Sequence, residues 1–149
     1  MTGKVLVDTN LLVYAYDFAD PVKQEKAFGL LDELAQSGRG VLSAQVLAEF
    51  AVAVTGKIAT PLEMETVQKS VQNYLSSWTV LDVTGLVVLE AVRGVREHRF
   101  SYWDAQIWAT AKLNQIPIIL SEDFVSGSTV EGVTFLNPFT ADFDLSRFL

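Results

Sequence analysis

The run Val5-Leu6-Val7, followed at once by Asp8-Thr9-Asn10, constrains the fold more than any other stretch. A half-exposed strand alternates apolar and polar positions, whereas an unbroken apolar run rich in β-branched residues reads as a strand buried on both faces. In an open α/β sheet, ligands gather in the crevice beyond the carboxyl ends of such strands. Asp8 is the first polar group past this one.

The remaining chain alternates helical and strand patterns. Asn10 to Tyr16 predicts a short helix, and Asp20-Pro21 an N-cap with proline at the first helical position. The helix that follows carries Ala27, Leu30, Leu31 and Leu34 on one face and stops at Gly38. Gly40-Val41-Leu42 is a second strand, and Ser43 caps a helix through about Thr55. Thr60-Pro61-Leu62-Glu63 combines a capping box with a proline start and predicts a helix to about Ser76. Trp78 to Leu81, Pro117 to Leu120 and Val133 to Leu136 read as strands, with helices over 84–97 and 101–114. Such alternation implies βαβ units with right-handed crossovers. The expected class is α/β: a mostly parallel sheet of about five strands with helices on both faces.

Composition narrows the function. With 149 residues, 50% of them hydrophobic, a single domain over 1–149 has ample core material. Eleven Lys and Arg against 18 Asp and Glu leave a net charge of −7, which excludes a protein held to nucleic acid by a broad basic face. An enzyme whose acidic site is neutralised by metal is still allowed. The absence of cysteine rules out disulfides and thiolate zinc sites. No basic leader with a long apolar segment and no run of 18 apolar residues is seen, so a cytoplasmic protein without membrane contact is expected.

Four carboxylates stand in apolar settings. Asp8 ends the first strand, where it serves either a ligand site or the cap of the next helix. Asp123 repeats that placement after Ile118-Ile119-Leu120, with Glu122 the alternative inward-pointing acid. Glu49 shares a helical face with Val46, Phe50 and Ala53, and an uncompensated buried carboxylate costs several kcal/mol. Lys57 is the basic residue nearest to it along the chain. Asp104 fits a capping box with Ser101, yet it also shares a stripe with Ile107, Trp108 and Ala111. Four like charges in one crevice would need protons or cations, and oxygen ligands suit Mg²⁺ or Mn²⁺. Other chemistries lack support: His98 is the sole histidine, and no G-x-S-x-G, G-x-x-x-x-G-K-[ST] or G-x-G-x-x-G motif occurs. Arg93, Arg96 and Arg99 form the one basic cluster, either a solvated helix face or a contact for substrate phosphates.

Val-Leu-Val-Asp8-Thr9-Asn10, Gln-Val-Leu-Ala-Glu49-Phe, Ser-Tyr-Trp-Asp104-Ala-Gln-Ile-Trp-Ala and Leu-Ser-Glu-Asp123-Phe together resemble, in type and order, the motifs of PIN-domain nucleases. The match is most similar to VapC-type toxins of bacterial toxin–antitoxin pairs. The resemblance implies a Rossmann-like sheet and a metal-dependent endoribonuclease with Asp8, Glu49, Asp104 and Asp123 as its acids. Thr9, Asn10 and Ser121 would support them. Asp8, Asp104 and Asp123 would hold Mg²⁺ or Mn²⁺, and Glu49 would either bind the ion through a water or orient the attacking water. It further implies an RNA substrate, a cognate antitoxin protein and a homodimer. Two rival functions stand beside this one. A haloacid-dehalogenase-type phosphatase needs a second carboxylate where Asn10 stands, and a non-catalytic binding module needs no acids at all.

Overall fold

β1 (Val5–Val7) leads through α1 (Thr9–Tyr16) and α2 (Pro21–Ser37) into β2 (Gly40–Ser43). α3 (Ala44–Gly56) and α4 (Met64–Ser77) precede β3 (Thr79–Leu81); α5 (Gly85–His98) and α6 (Tyr102–Leu113) precede β4 (Ile118–Leu120). A short hairpin, β5 (Thr129–Val130) and β6 (Val133–Leu136), follows. The computed structural model describes residues 3–148 and joins these strands into one sheet of order β3-β2-β1-β4-β6-β5. Every pairing is parallel except β5 with β6.

Strand order explains the layering. The chain steps from β1 to β2 to β3 in one direction, then returns to place β4 on the other side of β1. Right-handed crossovers therefore put α1–α4 on one face and α5–α6 on the other. The helix contacts agree: α1 packs on α2 and α3, α3 on α4, and α5 on α6. With both faces covered, Val5, Leu6 and Val7 are fully buried, as are Leu12, Leu34, Phe50 and Trp108 from the helices. The α5–α6 contact is close enough to require glycine: a Cβ at Gly94 would stand 2.8 Å from Trp108 Cζ3. Among the described residues no helix is long and apolar enough to cross a membrane.

Most predicted caps hold. Asp20 accepts from Lys23 N and Ser43 from Val46 N, while Gly38 closes α2 in the left-handed region at φ 72°. Thr84, expected only as the start of a helix, caps α5 by accepting from Val87 N. Two expectations are corrected. α4 begins at Met64, and Thr60 makes no capping bond; Glu63 precedes the helix in extended conformation. The reason is tertiary, because Leu62 N donates to Val54 O at 2.8 Å and draws residues 60–63 along the end of α3. The sheet has six strands instead of about five. The extra one, β5, arises from a two-residue turn in which Glu131 (φ 49°) and Gly132 (φ 85°) are both left-handed, the backbone that a tight hairpin needs.

Candidate active site

The reversal of strand order falls between β1 and β4, and the crevice outside the carboxyl ends of those strands is where an open α/β sheet binds ligands. Asp8 follows β1 and Ser121 to Asp123 follow β4, while Asp8 N donates to Leu120 O at 2.9 Å, continuing the pairing by one residue. Asp8 is 7% exposed. Its Oδ1 accepts from Thr9 N and its Oδ2 from Ser121 Oγ, both at 2.7 Å. Capping of α1 and a place in the crevice therefore coexist. Burial pushes the Asp8 carboxyl up from 3.8 to about 6. The bonds from Ser121 and Thr9 oppose that shift, and the charges of Asp123 and Glu49 add to it.

The other groups are strung to Asp8 by a polar network. Fully buried Ser121 also accepts from Asp123 N at 3.1 Å and from Asn10 Nδ2 at 3.2 Å. Asn10 Nδ2 donates again to Asp123 Oδ2 at 3.2 Å, while its Oδ1 is buried without a partner. Glu49 is half-buried on α3; its Oε1 accepts from Thr9 Oγ1 at 2.8 Å and from Gln45 Nε2 at 3.4 Å. No ion pair with Lys57 forms among the described residues. Asp104 N donates to Ser101 Oγ at 3.4 Å, but the reciprocal bond from the Asp104 carboxylate is not made. That side chain is left to the cavity. Of the two adjacent acids, Asp123 turns in. Glu122 turns away to Lys23 Nζ at 2.6 Å and to the Tyr14 hydroxyl.

Asp8, Thr9, Glu49, Asp104 and Asp123 thus line one cavity of about 480 Å³, together with Gln45, Gln106, Lys57, Trp103 and an apolar wall of Ala48, Val52 and Ala53. The acids surround this space without closing on a point. Among the described residues, the one set of three His or acidic ligand atoms within 4.8 Å of one another is Glu97, His98 and Glu131. Arg93 and Lys112 already supply positive charge to that second cluster.

The arginine cluster is not brought to the cavity. Arg93 is instead the centre of an ion-pair network. It bonds Glu90 at 2.6 Å, Glu97 at 2.7 Å and Glu131 at 2.8 Å, with its guanidinium 5.6 Å from the Trp108 ring centre. Hydrogen bonds from Arg93 foremost, then from Lys112 and His98 respectively, pull Glu90 and Glu131 down to about 2. Arg96 and Arg99 are exposed. Sequence reasoning overlooked Gln45 and Gln106 as cavity groups. Their signal was present, since each is an amide set within an apolar helical run.

The PIN domain family matches residues 5–125. Three solved structures are similar over most of the chain. A toxin–antitoxin complex from Klebsiella pneumoniae shares 18% identity over 91% of this chain and 98% of that chain, with a TM-score of 0.66. VapC20 of Mycobacterium tuberculosis, a toxin that cleaves the sarcin–ricin loop, shares 17% identity over 78% and 87%, with a TM-score of 0.64. VapBC2 from Rickettsia felis, bound to a DNA fragment from its promoter, shares 16% over 88% and 96%, with a TM-score of 0.63. At these identities the likeness is one of fold. No curated protein matches the chain.

Proposed function

The chain belongs to the PIN domain family, and from that premise we propose that it is a metal-dependent endoribonuclease acting as the toxin of a toxin–antitoxin pair. What supports this most is that Asp8, Glu49, Asp104 and Asp123 line a single cavity at the point where the strand order reverses. The donor set fits a divalent cation by its chemistry: hard oxygens, no histidine, no thiolate. Asp8 reinforces the fit, because its carboxyl is pushed up by burial and by the charges of Asp123 and Glu49, and a cation relieves both.

Asp8 and Asp104 are the principal holders of Mg²⁺ or Mn²⁺ in this reading, with Asp123 completing the set. When bound, the ion supplies charge neutralisation and Lewis-acid activation of water and phosphate. Glu49 orients the attacking water. Its Oε1 is fixed by Thr9 and Gln45, which leaves Oε2 to accept the water's proton. Ser121 and Asn10 hold Asp8 and Asp123 in register across the crevice. Low affinity for RNA without a divalent ion follows from the net charge of −7.

The toxin role is supported by two proteins of similar fold, a toxin–antitoxin complex from Klebsiella pneumoniae and the sarcin–ricin loop-cleaving toxin VapC20. A cognate antitoxin, a homodimer and a cytoplasmic setting belong to the same proposal. Incubation of structured RNA with the protein in Mn²⁺ and in EDTA tests the nuclease. Cleavage in Mn²⁺ alone, lost in Asp8→Asn, is expected; metal-independent cleavage, or none, overturns it. Growth arrest on expression, reversed by a co-expressed antitoxin, tests the toxin, and undisturbed growth with abundant soluble protein refutes it.

A further inference from the structure

Trp103 is 60% exposed, yet it lines the acidic cavity beside Asp104, and its surroundings hold it in place. Its backbone carbonyl accepts from Gln45 Nε2 at 3.1 Å. Gln106 Nε2 donates to Gln45 Oε1 at 3.0 Å, and Tyr102 Oη donates to Gln106 Oε1 at 2.8 Å. Both glutamines are buried. The Tyr102 ring meets the indole edge-on, with centroids 5.0 Å apart and planes at 84°. That contact braces the ring without stacking on it. An indole so fixed loses little freedom when a flat ligand settles on it.

Lys57, which closes α3, lines the same cavity and makes no ion pair among the described residues. Arg93, by contrast, is already occupied by three carboxylates. A free ammonium, a braced aromatic plate and an apolar wall thus share a cavity of about 480 Å³ with the acids, within the ~300–1,000 Å³ usual for small-ligand sites. A ligand with one flat aromatic part and one anionic part satisfies all three.

We infer that Trp103 and Lys57 form a nucleotide subsite beside the acids, in which an unpaired base of the RNA stacks on Trp103 while Lys57 contacts a phosphate of the same strand. This rests on the nuclease reading above. A base inside a duplex has both faces covered by its neighbours, so the subsite selects unpaired nucleotides at the cleavage position.

Anisotropy titrations in Ca²⁺ test it, using an end-labelled oligoadenylate of about ten nucleotides and an abasic oligomer of the same length. Trp103→Leu should weaken oligoadenylate binding roughly 5- to 150-fold, the range of one base–aromatic stack, and leave abasic binding unchanged. Trp103→Phe should recover most of the loss. Lys57→Gln should weaken both ligands alike and flatten their salt dependence. Equal loss for both oligomers in Trp103→Leu would make Trp103 a structural prop, and normal oligoadenylate binding would remove it from the substrate path. Normal RNA binding combined with escape from a protein inhibitor would assign it to a partner interface and equally overturn the subsite. A wild type that cleaves RNA while its variants bind unaltered sinks the subsite alone. A wild type that neither binds nor cleaves sinks the nuclease reading as well.

Discussion

Replacing Asp8 with asparagine should stabilise the metal-free protein while destroying its activity. The Asp8 carboxyl, 7% exposed, is pushed up from 3.8 to about 6 by burial first and by Asp123 and Glu49 in addition. For an acid, a raised folded-state pKa means that the native state binds the proton more tightly than the unfolded chain does. The contribution of Asp8 to stability is therefore greatest below pH 3.8 and is lost as pH rises through about 6. A shift of about 2 units corresponds to ~3 kcal/mol of cost at pH 8. Asparagine removes that cost but disturbs one bond. Its carbonyl keeps the Thr9 N–H, while its amide faces a Ser121 hydroxyl that already accepts from Asn10 and Asp123. Loss of that bond takes back about 1 kcal/mol. The net gain at pH 8 is ~2 kcal/mol, or about 4–8 °C in Tm for a chain of this size. The gap should close between pH 6 and 3.8, where the wild type takes up its proton. Thermal or urea unfolding in EDTA from pH 4 to 8 measures it. An Asp8→Asn protein less stable than wild type at pH 8, or a gap independent of pH, would refute the reasoning.

Other consequences are open to measurement. Gly94→Ala places a methyl 2.8 Å from a Trp108 ring carbon and should cost about 1–3 kcal/mol as overpacking; unchanged urea unfolding would contradict the close α5–α6 contact. Glu90 and Glu131 are pulled down from 4.5 to about 2, by Arg93 foremost. Their stabilisation is present above pH 4.5 and lost as pH falls toward 2. With Asp8 acting in the opposite sense, metal-free stability should peak near pH 4 to 5, and Arg93→Gln should flatten the acid limb. Ser43→Ala removes a buried cap on Val46 N and should cost about 0.5–2 kcal/mol in Tm or denaturant scans.

Local signals carried most of the fold. β1, the caps at Asp20, Ser43 and Ser101, and the stop at Gly38 were all legible, because each is decided within a few residues of itself. The convergence of the four acids was legible for a different reason: a carboxylate on an apolar face has to meet something. What escaped was settled by residues distant in sequence. Glu122 is drawn off by Lys23, 99 positions away, which leaves Asp123 to face the cavity. Arg93 is drawn to Glu131, 38 positions on, which ties it into an ion-pair network away from the acid cavity. α4 starts late because of a backbone bond back to Val54. The Gln45–Gln106 pair spans 61 residues, and neither amide announces its partner. β5 depends on Glu131-Gly132, a turn weaker in signature than Asn-Gly or Asp-Gly.

Asp104 offers the most direct test of the central claim, because its two possible duties predict different behaviour. Its carboxylate makes no capping bond to Ser101, yet it lines the acidic cavity. The measurement is RNA cleavage in Mn²⁺ by Asp104→Asn, alongside its unfolding with and without the ion. Cleavage should vanish while metal-free stability changes by less than about 0.5 kcal/mol, and the rise in Tm that Mn²⁺ gives the wild type should shrink. A variant destabilised by about 0.5–2 kcal/mol, the loss of a cap, that still cleaves RNA at the wild-type rate would contradict the account.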